Sequence, residues 1–356
     1  MEATPAMQRI FDGHNDVLLR LWRAGDFAGD RFLSGDGEGH LDLPRARAGG
    51  FAGGFFAVFV PGSSRMLGTG EADDGALVNF PHVGPVDSSD ARRIALEMAA
   101  VLVRMGRERP DAIRVCRTVA EIEAAEAAGA IAAVLHLEGC EAIGPDLLEL
   151  EVLHAAGLRS LGPVWSRPNA FGVGIPFRFP GDPDEGPGLT AAGKDLVRAC
   201  DRLGILVDLS HLNAAGFRDV AALGDRPLVA THSNAHALSP ASRNLLDWQL
   251  AAIAERGGVV GLNFAVGFLR DDGRRVADTP LAVLVRHLDY LLEHLGETGV
   301  ALGSDFDGAL IPRDIGDAAR LPALVQAMRD AGYGDDLVAR ICWGNWIDLL
   351  RRTWPS

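Results

Sequence analysis

Apolar runs rich in Val, Ile, Leu, Ala and Phe alternate along this chain with longer stretches in which apolar residues recur at helical spacing. Repeated βα units and a parallel sheet produce that pattern. Eight runs stand out, near residues 8–13, 54–60, 131–137, 158–164, 205–209, 227–231, 258–264 and 299–304. They are near-continuously apolar, as strands covered on both faces must be. Eight is the number that closes a (β/α)8 TIM barrel. Helices are expected over Ser88–Arg107, Leu147–Ala156, Thr190–Leu203, Asp247–Arg256, Pro280–Leu295 and Leu321–Ala331, several opened by Ser, Thr or Asp and closed by Gly, as at Thr190 and Gly204. Gly, Pro and Asp mark long loops over Arg23–Gly39, Pro61–Asp87 and Arg167–Gly188.

The length of 356 residues suits a single barrel domain over 1–356, with its long loops at about 61–87 and 167–188 lying over one end. No window of about 18 apolar residues appears, so a membrane span is not expected. The start at Met1-Glu2-Ala3-Thr4-Pro5 lacks the basic and apolar regions of a secretory signal. A soluble, cytoplasmic protein is expected. The net charge of −14 disfavours a grip on nucleic acid phosphates and suits a site for divalent cations. Cys116, Cys140, Cys200 and Cys342 are widely spaced in apolar surroundings and read as buried, reduced core residues.

The chemistry lies at the carboxyl ends of the apolar runs. His14 and Asp16, in Asp12-Gly13-His14-Asn15-Asp16, sit two residues apart at the end of the first run and so share a side. Glu138 ends the third run, His211 follows Val207-Asp208-Leu209-Ser210, His232 follows Val229-Ala230-Thr231, and Asp305 follows Ala301-Leu302-Gly303-Ser304. Singly, each has a bland reading as a loop residue or helix cap. In a parallel barrel all six converge on one face, enough to hold two ions. Imidazole and carboxylate without thiolate favour Zn²⁺ and tolerate Mn²⁺ or Co²⁺. A central carboxylate such as Glu138 could bridge ions about 3.5–4 Å apart around a shared water or hydroxide, the logic of metal-assisted hydrolysis.

These residues resemble the membrane (renal) dipeptidases, two-zinc (β/α)8-barrel peptidases of the amidohydrolase-like group. The resemblance spans nearly the whole chain and rests on Asp12-Gly13-His14-Asn15-Asp16, Leu137-Glu138-Gly139, Asp208-Leu209-Ser210-His211, Thr231-His232-Ser233-Asn234-Ala235, Ser242-Arg243-Asn244 and Gly303-Ser304-Asp305-Phe306-Asp307-Gly308. It implies that His14 and Asp16 hold one zinc, that His211 and His232 hold the other, and that Glu138 bridges them. Asp305, beside the first zinc, would take a proton from the attacking water and pass it to the leaving amine. Arg243 would hold the substrate's terminal carboxylate, for which a guanidinium can form two parallel hydrogen bonds. One position departs from the family: a histidine thought to polarise the scissile carbonyl is replaced by Trp165, whose indole can donate a hydrogen bond but carries no charge. Either Trp165 serves as a neutral donor or it only walls the pocket.

The leading expectation is a binuclear zinc dipeptidase acting through a metal-bridging hydroxide on dipeptides, including those with a D-residue at the carboxyl-terminal side. A small-amide hydrolase, acting on N-acyl amino acids, is the alternative within hydrolases. A barrel that binds metal and peptide without turnover is the alternative outside them, and the presence of Asp305 argues against it. The resemblance also implies a homodimer. No lipid-anchor signal is read at the chain's end. His136 shares a side with Glu138 if its strand stays regular. His154, His287 and His294 read as surface or helix residues, and His40, His82 and His236 as loop residues without chemistry.

Overall fold

The computed structural model describes residues 7–62, 73–80 and 83–354. Nine strands form among the described residues, eight of them the expected runs: β1 (Ile10–Asn15), β2 (Phe51–Phe59), β4 (Ile131–Glu138), β5 (Leu158–Gly162), β6 (Leu206–Val207), β7 (Val229–Ala230), β8 (Val259–Asn263) and β9 (Val300–Gly303). All pairings are parallel, in the order β6-β5-β4-β2-β1-β9-β8-β7. A parallel bridge between Asp208 and Val229 links the two ends of that path, so the eight strands close into a (β/α)8 barrel. The ninth strand, β3 (Ile113–Val115), was not expected and lies outside the ring, paired to the start of β4. Three residues are too few to show a period.

The expected helices form within a residue of their predicted ends, from Ser88–Glu108 to Leu321–Asp330. Thr190 caps its helix by accepting from the Gly193 N–H, and Gly204 ends it at φ 68°. Among the described residues eight further α-helices were not expected, three of them the short Val17–Arg23, Val266–Leu269 and Asp335–Ala339. Asp30–Ser34 falls within the stretch expected as loop over Arg23–Gly39, with Leu43–Gly49 just beyond it, while Val119–Ala127, Ala214–Leu223 and Asn345–Thr353 lie between or after strands. Val119–Ala127 is almost uniformly Ala and Glu and buries only Ile122 and Ala125, so no amphipathic stripe marks it. All four cysteines are buried and unpaired, as expected.

Alternation along β4 sends Ala132, Val134, His136 and Glu138 to one face, the barrel interior. In its amino-terminal half, Phe11, Phe55 and Val134 pack against Trp343 and Trp346 from the carboxyl-terminal segment. The Trp346 ring meets Phe55 edge-on at 5.4 Å, and its indole N–H donates to the Leu302 carbonyl at 2.9 Å. Gly13, Gly261 and Gly303 let three strands close in here, since a Cβ on any of them would fall 2.0–2.2 Å from the Thr231 carbonyl oxygen. Polar side chains replace this apolar packing towards the carboxyl ends.

Candidate active site

The six expected residues meet at that end. His14 Nε2 lies 3.5 Å from Asp16 Oδ2 and 3.7 Å from Glu138 Oε2, while Glu138 Oε1 lies 2.9 Å from His211 Nε2 and 3.7 Å from His232 Nε2. Glu138 thus stands between two groups, one oxygen to each. Donor atoms of His14, His232 and Asp305 form a third close set.

The ends of β1 and β9 are stitched together: Asp305 N–H donates to the His14 carbonyl, Asp16 N–H to that of Phe306, and Ser304 N–H and O–H to the Asp12 carboxylate. This places Asp305 in the left-handed region at φ 60°, a conformation that costs free energy and persists only because these bonds over-determine it. Gly308 follows because a Cβ there would sit 2.1 Å from Asp16 Oδ2 and 2.6 Å from Asp305 Oδ1.

The imidazoles are oriented from behind. Thr231 Oγ1 donates to Asp208 Oδ2 at 2.6 Å, so at 2.9 Å it accepts from His232 Nδ1, which therefore carries the proton. Ser166 Oγ contacts His211 Nδ1 at 2.8 Å. The two Nε2 atoms then face each other at 3.1 Å. Burial, reinforced by Arg243 and His14, holds both rings well below the ordinary imidazole range, hence neutral. Two neutral imidazoles whose Nε2 atoms converge beside the Glu138 carboxylate suit a shared cation. For His14, burial works against protonation, but Glu138, Asp16 and Asp305 outweigh it and push its pKa up to about 10. Both its ring nitrogens and Asp16 Oδ1 are buried without partners. Three carboxylates, unpaired donor atoms and lone pairs pointing inward fit a divalent cation centre.

Burial pushes the Glu138 and Asp305 carboxyls up, opposed chiefly by His14. Asn263 Nδ2 donates to Asp305 Oδ2 at 3.0 Å. Arg243 is buried above His211 and His232, its Nη2 donating to the His232 carbonyl at 3.0 Å and its Nη1 to Ser233 Oγ at 3.2 Å, while Nε has no partner. Burial lowers its pKa to about 10, so the guanidinium stays charged. Trp165 packs against Phe59 (tilted, 5.1 Å) and edge-on against Phe177 (5.5 Å) on the wall of a cavity of about 120 Å³ that also reaches Asp16, Glu138, His211, Arg243 and Asp305.

Sequence reasoning passed over Asp208, Ser166, Thr231 and Asn263. Asn263 ends β8 as the candidate ligands end their strands, so the same rule could have found it. His136 keeps to the Glu138 face, where its Nδ1 contacts Ser160 Oγ at 2.9 Å and burial lowers its pKa to about 3. His287 lies in a helix as expected, but it is not a surface residue. Its ring lies in the core, Nε2 donating to the Leu269 carbonyl (2.9 Å) and Nδ1 accepting from the Ala235 N–H (3.3 Å), because the Leu281–Leu295 helix turns that face inward. His154 and His294 are half-buried on helices. His236 and His40 lie in loops as expected, though His40 Nδ1 accepts from the Asp307 N–H at 2.9 Å. His82 lies outside the described residues.

A family model for membrane dipeptidases matches residues 2–353. The chain belongs to the membrane dipeptidase family. It is therefore an enzyme that hydrolyses peptide bonds. A metallo peptidase from Rhodobacter sphaeroides, solved with a phosphinate mimic of the dipeptide L-Ala-D-Ala, is 52% identical, covers 98% of this chain and all of its own, and superposes with a TM-score of 0.94. A second member, the metallo peptidase dipeptidase AC, is also 52% identical over 98% of this chain and all of its own, with a TM-score of 0.92. An uncharacterized Klebsiella pneumoniae protein in the pqqA 5′ region is 46% identical over 263 residues, 74% of this chain and 97% of that protein. Among the described residues of this dipeptidase-family chain, no helix is long and apolar enough to cross a membrane.

Proposed function

We propose that the chain is a single-domain binuclear zinc dipeptidase that accepts dipeptides with a D-residue at the carboxyl-terminal side. The observation that carries this reading is Glu138, buried with one oxygen towards His14 and the other towards His211 and His232. His14 and Asp16 would hold one ion, His211 and His232 the other, and Glu138 both. Zn²⁺ bound there would supply Lewis acidity, acidifying a water and polarising the scissile carbonyl.

The remaining steps belong to side chains. Asp305, whose carboxyl is pushed up by burial, accepts the proton of the attacking water and returns it to the leaving amine. Asn263 fixes its orientation through Oδ2. Arg243, tethered through Nη1 and Nη2, presents its Nε and its charge to the terminal carboxylate. Trp165 and Phe177 wall the cavity and keep water from the reacting bond. The D-residue tolerance is supported by the ligand of the Rhodobacter sphaeroides relative.

The test is to count zinc in the purified protein and to measure hydrolysis of L-Ala-L-Ala and L-Ala-D-Ala by wild type and Asp305→Asn. About two zinc per chain are expected, as in two-metal sites generally, with turnover lost in the variant. Two metals with no turnover of any dipeptide would overturn the reading and turn attention to Trp165. The aromatic wall would then favour an N-acyl amino acid as substrate.

A further inference from the structure

A buried polar atom without a hydrogen-bond partner is costly, so its place on a cavity wall asks what arrives to satisfy it. Of the described side chains lining the cavity, three keep buried polar atoms without a hydrogen-bond partner: Asp16 (Oδ1), Arg243 (Nε) and Arg275 (Nε and Nη1). The first two serve the proposed metal and carboxylate contacts. Arg275 serves neither.

Arg275 lies in the loop after β8 and is 8% exposed. Its backbone is fixed by antiparallel pairing with residues 75–78: Arg275 N–H donates to the Ala76 carbonyl and Val78 N–H to that of Gly273, both at 2.9 Å. Only Nη2 is engaged by a side chain, donating to Asp74 Oδ2 at 2.5 Å. The guanidinium sits over the Phe80 ring at 5.7 Å. Phe80 packs on Phe177 (5.1 Å) and Phe177 on Phe268 (5.4 Å), the ring over which Arg243 lies at 5.7 Å. Two arginines therefore border one aromatic wall, with Arg243 beside the His211 and His232 pair and Arg275 at the far end.

We infer that Arg275 is a specificity-determining residue that selects dipeptides bearing a side-chain carboxylate. This rests on the dipeptidase reading. A guanidinium with uncommitted Nε–H and Nη1–H donors matches the planar, charged oxygens of Asp or Glu. A neutral side chain leaves those donors unpaired, and sites of this kind reject analogues that lack the partner. An amide of the same shape supplies one oxygen and no charge.

The experiment compares kcat/KM and calorimetric Kd for Ala-Asp, Asp-Ala and their Asn counterparts, with Ala-Ala as reference, in wild type, Arg275→Met and Arg275→Lys. Wild type is expected to prefer Asp over Asn at one position by roughly ten-fold or more, the scale of a hydrogen bond to a charged group. Arg275→Met should bring that ratio to about one, and Arg275→Lys, which keeps the charge without the planar fork, should leave an intermediate value. Equal rates and affinities for Asp and Asn in wild type overturn the inference, as does a preference unchanged in Arg275→Met. Should the methionine variant fail to fold, the lysine variant decides by the same ratio. Turnover of Ala-Ala without an Asp preference sinks this inference alone, whereas no turnover of any dipeptide sinks the dipeptidase reading with it.

Discussion

The two halves of the barrel interior are built from the same eight strands and solve opposite problems. In the amino-terminal half, Phe11, Phe55 and Trp346 interlock, and the one indole N–H of Trp346 finds a carbonyl. In the carboxyl-terminal half, carboxylates and imidazoles crowd together with buried atoms left unpartnered. The first half is settled without help; the second is settled only by what binds to it. Stability and function are thus divided along the barrel axis, one layer of side chains apart, with His136 at the boundary.

The sharpest way to break that contrast is Asp305→Asn. It should cost on the order of 10²–10⁴ in kcat, the range for a lost acid–base group. Because it also removes one acid from a cluster of like charges, urea unfolding of the metal-free variant should show no loss of stability. Trp346→Ala should do the reverse, costing about 3–5 kcal/mol of stability as a large-to-small core change while zinc content per folded chain is kept. A thermal or urea melt beside a metal assay checks both sides.

A third prediction concerns pH. Burial lowers the His287 pKa from 6.5 to about 4, so its neutral form is what the fold requires. A group with a depressed imidazole pKa contributes stability that is full above 6.5 and is lost as pH falls towards 4. The loss should reach roughly 3 kcal/mol, since each pKa unit is about 1.4 kcal/mol. Urea midpoints at pH 7 and pH 4.5 should differ less in His287→Gln than in wild type. The smallest effect is expected from Arg243→Lys, which keeps the charge and loses the fork. A rise in KM of about ten-fold, with kcat less affected, would fit a contact to the substrate's end; an unchanged KM would remove Arg243 from that role.

How legible these halves were differs too. The strands were readable because burial on both faces forces near-continuous apolar runs, and the candidate ligands because each interrupts such a run at its carboxyl end. The helix Val119–Ala127 was not, since Ala and Glu carry little contrast between faces. Nor was Asp208, which follows β6 two residues before Ser210 and reads like any turn residue until Thr231 is found against it. The aromatic wall was invisible for another reason. Phe59, Phe80, Phe177 and Phe268 come from four separate segments, and only closure of the barrel makes them neighbours.

The three glycines around the Thr231 carbonyl carry a consequence for any survey of tolerated substitutions. Gly13, Gly261 and Gly303 leave no room for even a methyl group, and two of them flank candidate catalytic motifs. Alanine at these positions should score as badly as a change at His14 or Asp305, yet the damage would be mechanical, a shaft too narrow for its own wall. Intolerance alone would mark them as reactive groups, and only a separate count of folded protein would tell the hinge pins of this barrel from its working parts.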